Sequence, residues 1–197
     1  MNGLRIGPKA WKTQRGMGLI ELMIAMTVLA IGLGGTLAVI LSAMASNNRN
    51  KLDAVSTMVA QTVMEQVLTQ SAVGDQALPF TDCTGTSLTI NTTGVTAVTG
   101  TGATLYTSGN APSPALAGTI DFSQAGGSVP AGYRIAYVAC SPDGTRTTYD
   151  VRWNIRRLNA FTKMVTVSAR SMGASNRRDI KFFALPVTLR TIAGHQE

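Results

Sequence analysis

Apolar residues dominate one long stretch near the N-terminus. Residues 22–48 contain no charged side chain. At about 1.5 Å per residue, an α-helix of this length extends roughly 40 Å, which exceeds the hydrocarbon core of a membrane, about 30 Å thick. The pattern therefore predicts one membrane-spanning helix, which ends near Ala45.

The pattern becomes amphipathic from about Ser46. At 100° per residue the apolar positions form a stripe about 140° wide, which is typical of a helix that packs against a globular head. Gly74 and Pro79 mark its end, so we expect one helix from about residue 18 to residue 72. Residues 46–73 form the spine of the head. The stripe consists of Leu52, Val55, Val59, Ala60, Val63 and Val67.

Period-two alternation predicts an antiparallel sheet at about 131–190. We expect half-buried strands with a solvated charged face that carries Asp150, Arg152 and Asn154. Residues 81–110 are rich in Thr and Gly, which favours loops. The predicted fold class is α+β, a long helix packed on a small antiparallel sheet. The predicted strands are 133–137, 149–155, 165–169 and 179–189, the last an edge strand broken at Pro186, with short strands at 88–90 and 95–97.

Charge is concentrated at the N-terminus. The chain has a formal net charge of +7, and its first 16 residues carry four basic side chains and no acid. Such a leader stays in the cytoplasm and directs the rest of the chain outward. Nucleic-acid binding does not follow from this charge. The four residues are Arg5, Lys9, Lys12 and Arg15.

Glu21 separates three interpretations of the apolar stretch. These are a plain signal anchor, a secretory signal peptide cleaved after Ala43-Met44-Ala45, and a prepilin-type signal. A carboxylate within an apolar segment costs roughly 3 kcal/mol on insertion scales, and neither of the first two interpretations requires one. The stretch is also longer than the core of a typical signal peptide, about 7–15 residues.

The segment Arg15-Gly16-Met17-Gly18-Leu19-Ile20-Glu21-Leu22-Met23 resembles the processing motif of the type IV pilin superfamily. Met17 and Gly18 depart from the commonest residues, Phe and Thr. The resemblance implies that prepilin peptidase cuts between Gly16 and Met17, removing residues 1–16, and that the new amine of Met17 is N-methylated. It also implies a pilin-like architecture with a filament-core helix at 17–45 and a head at 46–197.

The resemblance gives Glu21 a role in assembly, in which its carboxylate pairs with the Met17 ammonium of a neighbouring subunit and favours one axial register. The run from Ile31 to Gly35 and the absence of proline from residues 17–78 resemble the PilV-like branch of minor pilins. The glycines of this run have two interpretations, close helix packing or local bending.

A minor pilin of this kind is predicted to be a single-pass inner-membrane protein with its head in the periplasm, and later a pilus subunit. Its partners are other pilins and minor pilins. The alternatives are a minor pseudopilin of a type II secretion system, and a pilus-displayed adhesin that binds a surface or, weakly, DNA. The sites to examine for DNA are Arg156-Arg157 and Arg177-Arg178.

Cys83 and Cys140 are the two cysteines. In an oxidising periplasm they are expected to form a structural disulfide, the alternative being two free buried thiols. The single histidine, His195, lies beside the C-terminus, so no catalytic triad or metal-ligand spacing is present. We expect no enzymatic activity, no metal and no cofactor.

Overall fold

The computed structural model describes residues 18–71, 77–142, 144–172 and 185–194. Within these residues, one long helix is followed by seven strands, with two short 3-10 helices at Pro114–Leu116 and Gly126–Ser128. The helix and the strands are α1 (Leu19–Ser71), β1 (Ala77–Thr81), β2 (Ser87–Asn91), β3 (Thr101–Gly102), β4 (Arg134–Cys140), β5 (Arg146–Asn159), β6 (Thr162–Ser171) and β7 (Val187–Gly194).

The strands form two antiparallel sheets. β1 pairs with β2 in a two-stranded sheet. The five-stranded sheet has the order β3-β5-β6-β7, and β4 also pairs with β5. One helix packed on antiparallel sheets is an α+β, pilin-like architecture, so the predicted fold class is confirmed.

The chain divides into two compact units, one ending at Ser46 and the other, which we call the head, beginning at Asn47. The predicted helix stripe lies in the core of the head. Val59, Ala60, Val63 and Val67 are buried there together with Trp153. Burial of one such valine contributes about 1.5–3 kcal/mol relative to exposure. Leu52 and Val55, nearer the start of the stripe, are only half-buried.

The core residues of β5 alternate with polar residues that are also buried, so the prediction of a solvated face is wrong. Asp150, Arg152 and Asn154 are 1%, 2% and 3% exposed. Alternation shows that a strand has two distinct faces, but it does not show what covers each one. Here the helix side of β5 is apolar and the other side is covered by the segment 99–124.

Hydrogen bonds attach this segment to the polar face. Arg152 Nη1 donates to the Gln124 carbonyl at 2.7 Å. Asn154 Nδ2 donates to the Thr99 and Ala103 carbonyls, both at 2.9 Å. Between those carbonyls Gly100 has a φ of +67°, and an added Cβ would collide with the Asn154 side chain. A glycine is therefore required at position 100, where the segment packs against Asn154.

A buried ion pair lies at the centre of this face. Asp150 accepts from Arg134 Nε and from Arg152 Nη2, each at 2.8 Å, and Arg170 Nη2 lies 3.7 Å away. Burial alone would raise the pKa of the Asp150 carboxyl, but hydrogen bonds from Arg152 and Arg134, together with their charges, outweigh it and hold the pKa below its ordinary value. The Arg152 and Arg170 guanidinium groups both lie over the Phe122 ring, 4.8 Å and 4.5 Å from its centroid.

Other strand predictions also need correction. β7 begins after Pro186 instead of being broken by it, because proline has no N–H for the ladder; β7 is nevertheless the predicted edge strand. Residues 179–184 of that prediction lie outside the described residues. No strand covers 95–97, where Val95 makes one isolated bridge to Arg156. β1, which contains Pro79, was not predicted.

Cys83 and Cys140 form the expected disulfide, with an S–S distance of 2.08 Å and a Cα–Cα distance of 6.0 Å. Both residues are exposed, so the alternative of two free buried thiols is wrong. The bond joins the turn after β1 to the end of β4. In the chain-entropy model, closing a loop with a sequence separation of 57 stabilises the fold by about 4 kcal/mol.

The Asp150 ion pair generates a stability prediction. Asp150→Asn leaves the Arg152 guanidinium buried without a counter-charge, which costs about 3–5 kcal/mol. The free energy of unfolding is measured by urea titration of a head fragment that starts at Asn47, in which Trp153 is the only tryptophan. The exposed Asp53→Asn on α1 is the control and should change stability by less than about 0.5 kcal/mol. Equal stability of the two variants would contradict the assigned role of Asp150.

The same pair predicts a pH dependence. Because the folded-state pKa of Asp150 is lowered, its contribution is fully present above the ordinary pKa, about 3.9, and is lost as the pH falls through the lower folded value. The stability gap between the parent head and Asp150→Asn should stay constant from pH 7 to pH 5 and shrink below about pH 4. A gap that widens at acid pH would show the opposite sign of shift.

Candidate functional site: the N-terminal apolar helix

The predicted cleavage residues, Gly16 and Met17, lie outside the described residues, which begin at Gly18. The Gly18 carbonyl accepts hydrogen bonds from the N–H groups of Glu21, at 3.0 Å, and Leu22, at 3.3 Å. Gly18 therefore closes the first turn of α1. The predicted junction directly precedes this helix in sequence.

Glu21 lies in that first turn and is exposed. The free N–H groups at a helix N-terminus carry partial positive charge, which stabilises a nearby carboxylate by about 0.3–1 kcal/mol. This is much less than the cost of placing the charge in hydrocarbon, roughly 3 kcal/mol. The Glu21 side chain has no hydrogen-bond or ionic partner in the part of the chain that the structure describes. Its partner must therefore come from elsewhere if the helix lies in an apolar environment.

An apolar surface surrounds Glu21 and continues along the helix. Fifteen large apolar side chains between Leu19 and Met44 are exposed by 49% to 80%. The candidate span has a mean hydropathy of 2.3 and none of its most apolar window is buried within the protein. Its length and composition suit a membrane span. Exposure on this scale is typical of a surface covered by lipid or by other proteins.

One side of this segment contains a shallow groove. Its lining repeats at helical spacing, and Gly32 and Gly35 form its floor. No atom outside the local helix lies within 4 Å of a Cβ built on either glycine. Small residues on one side of a membrane helix let a second backbone approach closely. Helix α1 is unbroken through the three glycines, which favours the packing interpretation over bending. The lining residues are Ile31, Gly32, Gly35, Thr36, Val39 and Ile40.

The described residues contain no group of three or more His, Cys, Asp or Glu side chains placed to hold a metal ion. The chemistry of the N-terminal segment therefore consists of one carboxylate, an apolar surface and a groove of small residues. The sequence identified Glu21 and the glycines. It did not show which of the glycines share one side of the helix.

Comparison with known families gives one match. The model described as the prokaryotic N-terminal methylation motif matches residues 11–37, which include the predicted junction, Glu21 and most of the groove. No curated protein and no solved structure matches the chain. The match supports a type IV pilin-like signal, and such a signal implies processing by prepilin peptidase and assembly with other pilins. The apolar helix and the motif together fit membrane anchoring.

The groove predicts a difference between two adjacent glycines. Gly35→Leu fills the groove, whereas Gly34→Leu adds the same side chain outside it. We expect Gly35→Leu to reduce the recovery of the chain in assembled filaments at least tenfold, about 1.4 kcal/mol, because helix packing without the hydrophobic effect depends on close approach. Leader cleavage should be unchanged in both variants. Equal recovery of the two variants would show that the groove has no part in packing.

Proposed function

We propose that this chain is a minor pilin of a type IV pilus, related to the PilV-like branch, that enters the filament through the first half of α1. The observation that carries the proposal is the Glu21 carboxylate, which has no partner among the described residues and lies in the first turn of an exposed apolar helix, within the matched methylation motif. A plain membrane anchor explains the apolar surface and leaves the carboxylate unexplained.

Processing supplies a partner for Glu21 in this proposal. Prepilin peptidase cuts after Gly16, where the absence of a Cβ lets the enzyme approach the backbone closely. The cut converts the amide nitrogen of Met17 into an ammonium group, which is then N-methylated. Between packed helices, the Met17 ammonium of one subunit pairs with the Glu21 carboxylate of another. Pairing offsets the cost of burying each charge and favours one axial register.

Two features of α1 support a minor subunit. The helix contains no proline from Leu19 to Ser71, whereas major pilins often have one partway along it. The Ile31–Gly35 run resembles the corresponding run of the PilV-like branch. The groove, whose lining includes Ile31, Gly32 and Gly35 of this run, offers a surface on which a neighbouring helix packs closely.

A minor pseudopilin of a type II secretion system is the second candidate, because the methylation motif supports it equally. Genes for a secretin and a secretion ATPase beside this gene would favour it, and genes for other minor pilins would favour the pilus. For DNA binding the head offers less support. Arg156 and Arg157 are half-buried, and Arg156 donates to the Val98 carbonyl. Arg177 and Arg178 lie outside the described residues.

Mass spectrometry of the mature N-terminus tests the proposal. The chain is isolated from membranes of its host and its first peptide is sequenced. We expect N-methylated Met17 as the first residue. A start at Ser46 would indicate ordinary secretion, and an intact leader would indicate a plain anchor; either result overturns the proposal.

Glu21 gives a second test. Glu21→Ala and Glu21→Gln remove the charge and leave the Met17 ammonium without a partner, a loss of about 3–5 kcal/mol for a buried pair. We expect both variants to be cleaved after Gly16 and to be recovered in sheared filaments at least tenfold less than the parent. Glu65→Ala, an exposed acid farther along the same helix, is the control and should assemble normally. Normal assembly of both Glu21 variants would remove the pairing mechanism.

A further inference from the structure

One face of the five-stranded sheet changes character along its length. Asp150, Arg152 and Asn154 lie on this face and are covered by the segment 99–124. The next position on β5 is Arg156, which pairs with Met164 on β6; Met164 pairs in turn with Ile192 on β7. These three residues form the last cross-strand row on this face. Arg156 and Met164 are half-buried, and Ile192 is 64% exposed.

Further apolar side chains adjoin this row. Val98, whose carbonyl accepts from Arg156, is 83% exposed. Leu158, at the irregular end of β5, is 40% exposed, and Phe161 in the β5–β6 turn is 68% exposed. We call the six residues the hairpin-end patch: Val98, Arg156, Leu158, Phe161, Met164 and Ile192.

The patch inverts the usual distribution of polar and apolar groups. On the same face, charged and amide side chains are buried while apolar side chains are exposed. Single exposed apolar residues are common, but a contiguous group is typical of a protein interface. Folding of the head therefore covers the polar rows and leaves apolar side chains exposed at this end of the sheet.

Arg156 indicates the chemistry of that molecule. Its Nη1 donates to the Val98 carbonyl at 3.2 Å. Its Nε is buried and has no hydrogen-bond partner among the described residues. Another molecule cannot reach this buried atom, but the guanidinium also forms no ion pair with a carboxylate of the described residues. Its positive charge, half-buried beside apolar side chains, is best matched by a carboxylate from another molecule.

We propose that the hairpin-end patch docks the head of an unlike filament subunit, one that presents a carboxylate within an apolar surface. This inference rests on the proposed function, since it takes the partner from the same filament. The partner's carboxylate binds Arg156, and its apolar side chains cover Phe161 and Ile192.

Charge argues against a second copy of this chain. A two-fold contact centred on the patch would place Arg156 against Arg156, and like charges in a dry interface repel. In the described part of the head, Asp82, Asp121 and Asp150 accept hydrogen bonds from Thr84, Ser123 and Arg134 respectively. The exposed acids of the described head, Asp53 and Glu65, both lie on α1.

The patch lies at the end of the sheet opposite the residues that begin the head. Asn48 and Lys51, at the start of the head, line a cavity with Ser141 and Thr145 at the β4–β5 end of the sheet. The patch lies at the other end of β5, a strand of 14 residues that extends roughly 40 Å. Within the head, the patch is thus far from the residues that follow the apolar helix in sequence.

Photo-crosslinking tests the docking surface. Benzoylphenylalanine replaces Phe161 in the full-length chain, which is expressed in its host together with one other subunit bearing the same N-terminal motif, each such subunit in turn. The control places the photoreactive residue at Leu116, a partly exposed apolar position in the Pro114–Leu116 helix. We expect an adduct between position 161 and one unlike subunit, and none from position 116.

Substitutions then test the mechanism. Ile192→Ser and Arg156→Gln should each reduce the adduct at least tenfold, whereas Leu116→Ser should not. Arg156→Glu should abolish it, and a Lys in place of the partner's carboxylate at the crosslinked site should restore it. Resistance of each head to protease, equal to that of the parent, shows that the variant is folded.

The outcomes separate this inference from the proposed function. If the chain is cleaved after Gly16 and recovered in filaments but position 161 yields no adduct, only lipid adducts or only adducts to a second copy, the docking surface is wrong and the filament role stands. The docking surface is also wrong if the adduct survives Ile192→Ser and Arg156→Gln. If the chain is neither cleaved nor recovered in filaments, the proposed function fails whatever position 161 contacts.

Discussion

The apolar surface of α1 is the constraint on which the rest of the protein depends. Up to Met44 this surface has no cover among the described residues, and from Val59 onward the same helix buries a stripe of small apolar residues in the head. Removal from water is favourable for the apolar surface of both halves, but only the second half is covered by other parts of the same chain. The first half is left for lipid or other helices to cover, and in the proposed function its Glu21 carboxylate takes a positive partner in the same environment.

The head is held together by two kinds of contact, one on each side of its sheet. Its helix side is an apolar core around Trp153, Val151 and Val63. Its other side is held by polar contacts, in which Asp150 joins three arginines and side chains of β5 bind carbonyl groups of the segment 99–124. A buried ion pair gives little net stability, because desolvation offsets most of the attraction between the charges. Here the ion pair and its hydrogen bonds hold the segment 99–124 against β5, in addition to the core contacts of Ala103 and Ile120.

Unsatisfied groups connect this structure to its proposed role. The Glu21 carboxylate and the Arg156 Nε atom both lack partners in the part of the chain that the structure describes. Each lies beside exposed apolar side chains. Burying a charged or polar group in an apolar interface costs free energy unless a matching group pairs with it. Such groups therefore favour one partner and one register over others. The two sites therefore fit contacts of different kinds, one between helices and one between heads.

Hydrophobic pattern alone determined the long helix, its amphipathic second half and the existence of strands at β4, β5 and β6, because these follow from local periodicity. It also identified Glu21, since a charge within a long apolar run is visible without any structure. Tertiary structure decided the rest. The alternation in β5 is equally consistent with a solvated or a covered polar face, and only the path of the segment 99–124 shows that Asp150 and Arg152 are buried. The hairpin-end patch joins Val98, Arg156 and Ile192 across three separate segments, and residues so distant in sequence become neighbours only through strand register.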